Sequence, residues 1–289
     1  MIHRNRLSLP LAIVVSICAV AFLNVHARAT DSDVLLANVS GQTTIGAANN
    51  IGAADENFNI TTKVFQGVMV PNFPPFNPAD YGRIEPGFFA LGNGNASTPP
   101  GASALPGNAQ VMINFPSFTV GTHSDSLFYW DGSGAVDFHP ISTVQPGVGL
   151  TLHPDPIANT NADGSIHQHS AFELALGPDG PPVPADGVYV LSPTASVVGL
   201  TDSKPFYLLF LVDATITTED DADAVKDGLD SGNPVYNGKD YTYFNDARDY
   251  VQNNLAVPEP TAMALLGVAS LGLALGRGRN RSFDGRRGR

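Results

Sequence analysis

The sequence predicts an all-β protein: an antiparallel β-sandwich or jelly-roll-like domain, with an N-terminal signal helix and a C-terminal membrane-sorting helix. Short apolar runs between residues 31 and 256 are rich in β-branched and aromatic residues, which favour strands. Asp-Gly, Asn-Gly and Pro-Gly dipeptides separate the runs, as expected of tight turns. No amphipathic helical patterns alternate with the runs, so a parallel sheet with crossover helices is disfavoured.

Nine segments carry the strand pattern: 32–42, 58–70, 109–115, 126–132, 135–141, 147–153, 169–176, 187–193 and 205–217. The Pro-, Gly- and Asn-rich stretch 71–107 is predicted to be a long loop. Two stretches after residue 217 each suit one short helix. The predicted domain organisation is a signal peptide at 1–29, a β-sandwich domain at 30–217, an acidic extension and linker at 218–256, and a sorting signal at 257–289.

The N-terminus has the layout of a secretory signal peptide. Arg4 and Arg6 form a basic head, an apolar run covers 7–23, and Ala27-Arg28-Ala29 is a cleavage site of the small-x-small type, which predicts cleavage after Ala29. A retained membrane anchor is the alternative. The single cysteine, Cys18, lies in this apolar run. The exported domain therefore has no thiol for disulfides, iron–sulfur ligation or nucleophilic catalysis.

The C-terminus combines three features in order: Pro258-Glu259-Pro260, an apolar stretch from Thr261 to Gly276, and six arginines. As a helix the apolar stretch would rise about 24 Å, slightly less than the hydrocarbon core of a membrane, and the arginines would stay cytoplasmic. This order resembles the PEP-CTERM sorting signal of Gram-negative bacteria. The resemblance implies an exosortase-type processing enzyme as partner, transient anchoring in the inner membrane, and release to the cell surface or an exopolysaccharide matrix.

The net charge excludes two classes of partner. The whole chain carries −12, but without the signal peptide and the tail only six Lys and Arg residues oppose 25 Asp and Glu residues. A body with a charge near −19 repels nucleic acid and anionic lipid, so binding to either is not expected. It attracts divalent cations instead, with solubility as the alternative reason for the acidity.

The histidines indicate a metal site. All five histidines of the exported body lie between residues 123 and 169. His167 and His169 are two residues apart on a predicted strand, so their side chains should point to the same face. Two imidazoles on one face can bind a single Zn²⁺ or Cu²⁺ ion, with His123 or His139 completing the ligand set and His153 as a further donor. Ordinary polar surface is the alternative interpretation.

Calcium is the less favoured metal. The stretch 159–164 offers oxygen ligands but lacks the terminal carboxylate of a calcium loop, and a polar hairpin turn explains it better. A second acidic stretch, 219–223, suits a helix N-terminus capped by Thr217 or Thr218.

The sequence contains no recognisable catalytic motif, so we expect a non-enzymatic protein. An aromatic run includes Tyr129 and Trp130, which alternation sends to opposite faces. Core packing is the favoured role, and stacking on a sugar is the alternative. Together with scattered carboxylates, this leaves a carbohydrate-binding module or a glycan hydrolase as the competing function; the carboxylates are Glu85, Asp131, Asp137 and Glu173.

The body carries a second resemblance. SLFYWDGSGAVDF, HQHSAFELALGPDGPPVPADGVYVLSP and LTDSKPFYLLFLVD, together with EPGFFA at 85–90, are similar to a group of PEP-CTERM proteins of planctomycetes. A looser similarity links about 50 residues to the His-containing β domains of actinobacterial surface-anchored proteins. These resemblances imply a β-rich surface protein and favour the metal hypothesis. From all these observations we expect a structural or adhesive role at the cell surface or in an exopolysaccharide matrix, with metal binding as its sharper variant.

Overall fold

The computed structural model describes residues 32–54, 56–74, 80–176 and 183–256, and it confirms the all-β fold class. Its strands are β1 Ser32–Val39, β2 Gln42–Asn49, β3 Asn57–Asn59, β4 Val64–Pro71, β5 Tyr81–Arg83, β6 Phe88–Ala90, β7 Gln110–Asn114, β8 Phe118–Val120, β9 His123–Asp125, β10 Phe128–Trp130, β11 His139–Pro140, β12 Val148–His153, β13 Ala158–Asn159, β14 Ile166–Gln168, β15 Ala171–Leu176, β16 Gly187–Leu191, β17 Thr194–Val197, β18 Tyr207–Val212, β19 Val235–Tyr236 and β20 Lys239–Asp240. Its helices are α1 Ile141–Val144, α2 Glu219–Ser231 and α3 Thr242–Tyr250, followed by the π-helical turn Val251–Leu255.

Two large sheets dominate the described chain. One has five strands in the order β14-β6-β1-β2-β3, and the other has eight in the order β11-β10-β16-β18-β4-β5-β15-β12. A three-stranded sheet, β13-β7-β17, and two hairpins complete the set. Most pairs are antiparallel as predicted, but β1 pairs with β6 and β4 pairs with β18 in parallel. Both parallel pairs join distant segments of the chain, so no local turn signal marks them.

The first predicted strand, 32–42, is two strands. β1 ends at Val39 and β2 begins at Gln42, and the turn between them has Ser40 at φ 53° and Gly41 at φ 85°. Positive φ at both central residues is the geometry of a two-residue hairpin turn that matches strand twist. The prediction missed this turn because Ser-Gly is a weaker turn signal than Asn-Gly or Asp-Gly.

The predicted loop 71–107 contains two strands. β5 and β6 are three residues each, too short to show an alternating pattern among the surrounding proline and glycine residues. β6 is nonetheless fully paired, with β1 on one side and β14 on the other. Because β6 lies between β14 and β1, it brings residues of these two strands together at the candidate site described below.

The centre of the eight-stranded sheet is buried on both faces. In β18, Leu208, Phe210 and Val212 pack into the core shared with the five-stranded sheet, whereas Leu209 and Leu211 pack into a second core on the other side. All five side chains are fully buried. This two-sided burial explains why the segment is continuously apolar instead of alternating.

The acidic segment after residue 217 covers the second face of that sheet. Thr218 caps α2 by accepting a hydrogen bond from the Asp221 backbone N–H, which confirms the predicted cap. The buried side of this segment shares one core with side chains of β4, β10, β16 and β18, through Ala222, Val225, Leu229, Phe244, Ala247 and Val251. The predicted domain boundary at residue 217 stays a prediction, although residues on both sides of it contribute to one core.

Lys63, beside the start of β4, makes the free energy of unfolding depend on pH. Its ammonium donates to the carbonyls of Ile45 and Ile60. Burial, together with the charge of Lys204, lowers the pKa of Lys63 to about 8. Between pH 8 and the ordinary lysine pKa the unfolded chain binds more protons, so stability rises with pH in this window. We expect the unfolding free energy of the wild type, minus that of Lys63→Met, to increase from pH 8 to pH 10 in urea titrations. A difference that does not change with pH would contradict the lowered pKa.

Candidate metal centre

The candidate site lies on the outer face of the five-stranded sheet, at the strands β14, β6 and β1. His167 is on β14 and His169 follows it directly, whereas Asp33 is on β1. In the register, Gln168 pairs with Phe88 and Val34 pairs with Phe88. Asp33 and His169 therefore face each other across Gly87, although they are more than 130 residues apart in sequence.

Three potential ligand atoms converge at this point. The Nε2 atoms of His167 and His169 are 3.1 Å apart. Asp33 Oδ2 lies 3.2 Å from His167 Nε2 and 3.8 Å from His169 Nε2. Within the described ranges, this is the one group of three or more His, Cys, Asp or Glu residues whose ligand atoms all approach within 4.8 Å of one another.

The spacing of these atoms fits a transition-metal ion. Zinc binds imidazole nitrogen and carboxylate oxygen at about 2.0–2.2 Å, which places tetrahedral ligand atoms about 3.4 Å apart. The observed distances of 3.1, 3.2 and 3.8 Å scatter around that value. The circle through the three atoms has a radius of about 2.0 Å, so a point about 2.1 Å from all three lies just outside their plane. Three protein ligands would leave the fourth tetrahedral position of an ion at that point open.

Gly87 fixes the orientation of the carboxylate. Its backbone N–H donates to Asp33 Oδ1 at 2.9 Å, which leaves Oδ2 directed towards the histidines. A Cβ atom at position 87 would lie 2.7 Å from Asp33 Oδ1 and 2.9 Å from His169 Nδ1. Glycine is thus the residue that lets the side chains of Asp33 and His169 both lie over this strand. The hydrogen bond from the Gly87 N–H to Asp33 is of the kind that orients a metal ligand.

An aromatic stack holds the other imidazole. The His167 ring meets the ring of its cross-strand neighbour Phe89 edge-on, with centroids 5.4 Å apart. Phe89 in turn stacks on Phe58 of β3 at the same centroid distance. These contacts limit the rotation of a side chain that is 49% exposed, so the site is partly preorganised without an ion.

The other predicted histidine ligands lie elsewhere. His123 is exposed on β9, and His139 on β11 forms an ion-pair contact with Asp137 at 3.4 Å. His153 lies on β12, with its Nε2 2.9 Å from Glu173 Oε2. None of the three belongs to the converging group. The third potential ligand is Asp33. Sequence reasoning missed it because β6 lies inside the predicted loop and nothing local links residue 33 to residue 169.

Trp130 has no exposed face for stacking on a sugar, and Tyr129 is half-buried. Trp130 is 3% exposed and packs between Phe138 and Tyr243, which agrees with its favoured core role. Tyr129 points to the opposite side, as alternation predicts, and its hydroxyl donates to the Asp186 carbonyl. Burial and neighbouring carboxylates raise the pKa of Tyr129 to about 12. The carbohydrate hypothesis gains no support from these two residues.

The carboxylates of the two stretches considered for calcium have other partners. Asp163 Oδ1 accepts hydrogen bonds from the backbone N–H and the hydroxyl of Ser165, as in a polar turn. In the second stretch, three carboxylates lie in the first turn of α2 at the positive end of the helix dipole, and Asp223 pairs with Arg83. Neither stretch belongs to the converging group of potential metal ligands within the described residues.

Fold and site together define a β-rich protein with an external histidine–carboxylate cluster. The comparison with protein families then identifies its destination: residues 256–280 match the PEP-CTERM protein-sorting motif. The chain therefore carries a PEP-CTERM sorting motif, which implies export to the cell surface and processing by an exosortase, a membrane-embedded enzyme. No curated protein and no solved structure gives a significant match.

The predicted signal peptide and sorting helix fall outside the described residues. This applies to 1–29, to Pro258, Glu259 and Pro260, and to the apolar stretch from Thr261 to Gly276. Among the helices of the described chain, none has both the length and the apolar character needed to cross a membrane.

Proposed function

We propose that this exported protein binds a divalent transition-metal ion at the cell surface, through His167 Nε2, His169 Nε2 and Asp33 Oδ2. The observation that carries the proposal is the convergence of two nitrogens and one oxygen at 3.1–3.8 Å. Three such atoms around one point match the ligand sets of zinc sites that keep a fourth position open. The negative charge of the exported body favours the approach of a cation.

Zinc and copper are the metals expected. Neutral imidazole is a good ligand for both ions, whereas calcium prefers six to eight oxygen ligands. A structural or adhesive, non-enzymatic role in an exopolysaccharide matrix also stays a proposal. It is supported by the sorting motif and by the sequence's lack of a recognisable catalytic motif. In that role the ion would join β14 to β1 and stabilise the exposed edge of the five-stranded sheet.

Elemental analysis of the purified full-length protein tests the proposal. We expect close to one zinc or copper ion per chain after loading and buffer exchange, and loss of that ion in the double variant His167→Ala/His169→Ala. Bound metal should also raise the melting temperature, because an ion that binds the folded state alone stabilises it by mass action.

The matched control is the double variant His123→Ala/His139→Ala, which removes two exposed histidines outside the cluster. It should keep the metal and the melting-temperature shift of the wild type. Absence of metal from the loaded wild type, or equal loss in both double variants, would show that the cluster is not a specific metal site.

A further inference from the structure

The exported chain is predicted to start three residues before the proposed metal ligand Asp33. Cleavage after Ala29 makes Thr30 the first residue of the exported protein. The nitrogen of Thr30 belongs to a peptide bond in the precursor, and it becomes a primary amine when that bond is cut. Export therefore creates a nitrogen donor that is joined to the metal centre by a very short length of chain.

The chain enters β1 at the end of the sheet that carries the site. The first pair of the register between β1 and β2 joins Ser32 to Asn49. The next residue, Asp33, faces His169 across Gly87. At this level β1 and β6 begin and β14 ends. The residues that precede Ser32 therefore join the sheet beside the three converging ligand atoms.

The chain between Thr30 and Asp33 is long enough for the amine to reach the ion. Three residues span at most about 11 Å when they are extended. An ion bound at about 2.1 Å from Asp33 Oδ2 lies roughly 6 Å from the Asp33 Cα atom. Thr30 and Asp31 lie outside the described residues, and the two lengths show that the available tether exceeds the gap.

The described side chains leave the fourth coordination position accessible. His167 and His169 are 49% and 37% exposed, so the ion position can be reached from solvent. In the described part of the chain, no further His, Cys, Asp or Glu residue joins the three converging atoms. The single cysteine, Cys18, lies in the predicted signal peptide. The donors that remain for the exported protein are thus nitrogen and oxygen atoms.

We propose that the α-amino nitrogen of Thr30 is the fourth ligand of the loaded site, so that signal-peptide cleavage completes the site. The inference rests on the proposed metal site. Two imidazoles, one amine and one carboxylate provide three nitrogens and one oxygen, a donor set that suits Cu²⁺ in tetragonal geometry. An amine tied to the site has a high effective concentration there. The amide nitrogen of the precursor is no such ligand, so tight metal binding begins with the cleaved protein.

Electron paramagnetic resonance of the Cu²⁺-loaded protein tests the inference, because each nitrogen ligand splits the copper signal. The protein is exported from a bacterial host, its N-terminus is determined by mass spectrometry, and one equivalent of Cu²⁺ is added. Growth on ¹⁵N-threonine labels the Thr30 amine but no histidine. We expect the splitting pattern of three nitrogens, one of which changes when threonine is labelled.

Two comparison proteins lack the free amine. One is the full-length precursor with the bond between Ala29 and Thr30 intact, and the other is the exported protein after acetylation of its α-amine. Both should show two nitrogen ligands and bind Cu²⁺ at least about tenfold more weakly than the exported protein. Asp31→Asn is the matched control, because it alters the next side chain and keeps the amine. It should retain three nitrogens and the labelling effect.

The outcomes separate this inference from the proposed function. The inference is overturned, with the metal site intact, by equal Cu²⁺ affinities of the exported and acetylated proteins, by a spectrum that ¹⁵N-threonine does not change, or by an N-terminus other than Thr30. A loss of affinity in Asp31→Asn without a labelling effect in the wild type would assign the fourth ligand to the Asp31 carboxylate instead. Failure of all these proteins to bind Cu²⁺ or Zn²⁺ would overturn the proposed function itself.

Discussion

Replacing Gly87 by alanine is expected to lower the affinity for zinc by about 100-fold, the upper end of the effect of residues that orient metal ligands. The added methyl group would lie 2.7 Å from Asp33 Oδ1 and 2.9 Å from the His169 ring, so at least one ligand has to move. The same crowding should reduce the free energy of unfolding of the metal-free protein by about 1–3 kcal/mol.

Two measurements separate these effects. Zinc affinity comes from competition with a chromogenic chelator, and stability comes from urea unfolding in the presence of EDTA. Gly149→Ala is the matched control, because a Cβ atom at that position of β12 meets nothing within 4 Å. This control should bind zinc like the wild type. If Gly87→Ala also binds zinc normally, the ligand arrangement described for Asp33 and His169 is wrong.

Replacing Lys239 by methionine is expected to destabilise the protein by about 3 kcal/mol, because it strands a buried carboxylate. Asp213 lies at the end of β18 with no exposed surface. Its carboxylate pairs with the Lys239 ammonium and accepts hydrogen bonds from the Thr215 N–H and hydroxyl. Although burial acts in the opposite direction, these partners hold the pKa of Asp213 below its ordinary value.

Urea unfolding of the variants checks this expectation. The double variant Lys239→Met/Asp213→Asn should recover much of the lost stability, because a neutral amide needs no counter-ion. Since the pKa of Asp213 is lowered in the folded state, its contribution is present above the unfolded pKa and is lost as pH falls through the folded pKa. The loss in Lys239→Met should therefore shrink in acid. A loss below about 0.5 kcal/mol at neutral pH, the usual range for surface changes, would contradict the pairing.

The limits of sequence reasoning are visible in the candidate site itself. The two-residue spacing of His167 and His169 was enough to predict that their imidazoles share one face, since side chains alternate along any strand. The third member of the cluster, Asp33, was not predictable in this way. Asp33 reaches the histidines through β6, a three-residue strand hidden in a Pro- and Gly-rich stretch, and through a parallel pairing that leaves no turn signal.

The acidic segment after residue 217 likewise has features that the sequence predicted and a role that it did not predict. Its helices and the cap at Thr218 follow from local propensity and capping chemistry, so the sequence predicted them. Their role did not follow from composition, because a net negative segment resembles a solvated extension. Only packing reveals that its few apolar side chains, among them Val225 and Phe244, cover the second face of the eight-stranded sheet.

The sequence by itself determined the features whose physical cause is local: the all-β class, the turns marked by Asp-Gly and Asn-Gly, the paired histidines, and the sorting motif at 256–280 that directs the protein to the cell surface. The tertiary structure decided which distant strands are neighbours. That choice places Asp33 beside two histidines and moves His123 and His139 away from them. Long-range pairing is set by the burial of whole sheets, which no short stretch of sequence encodes.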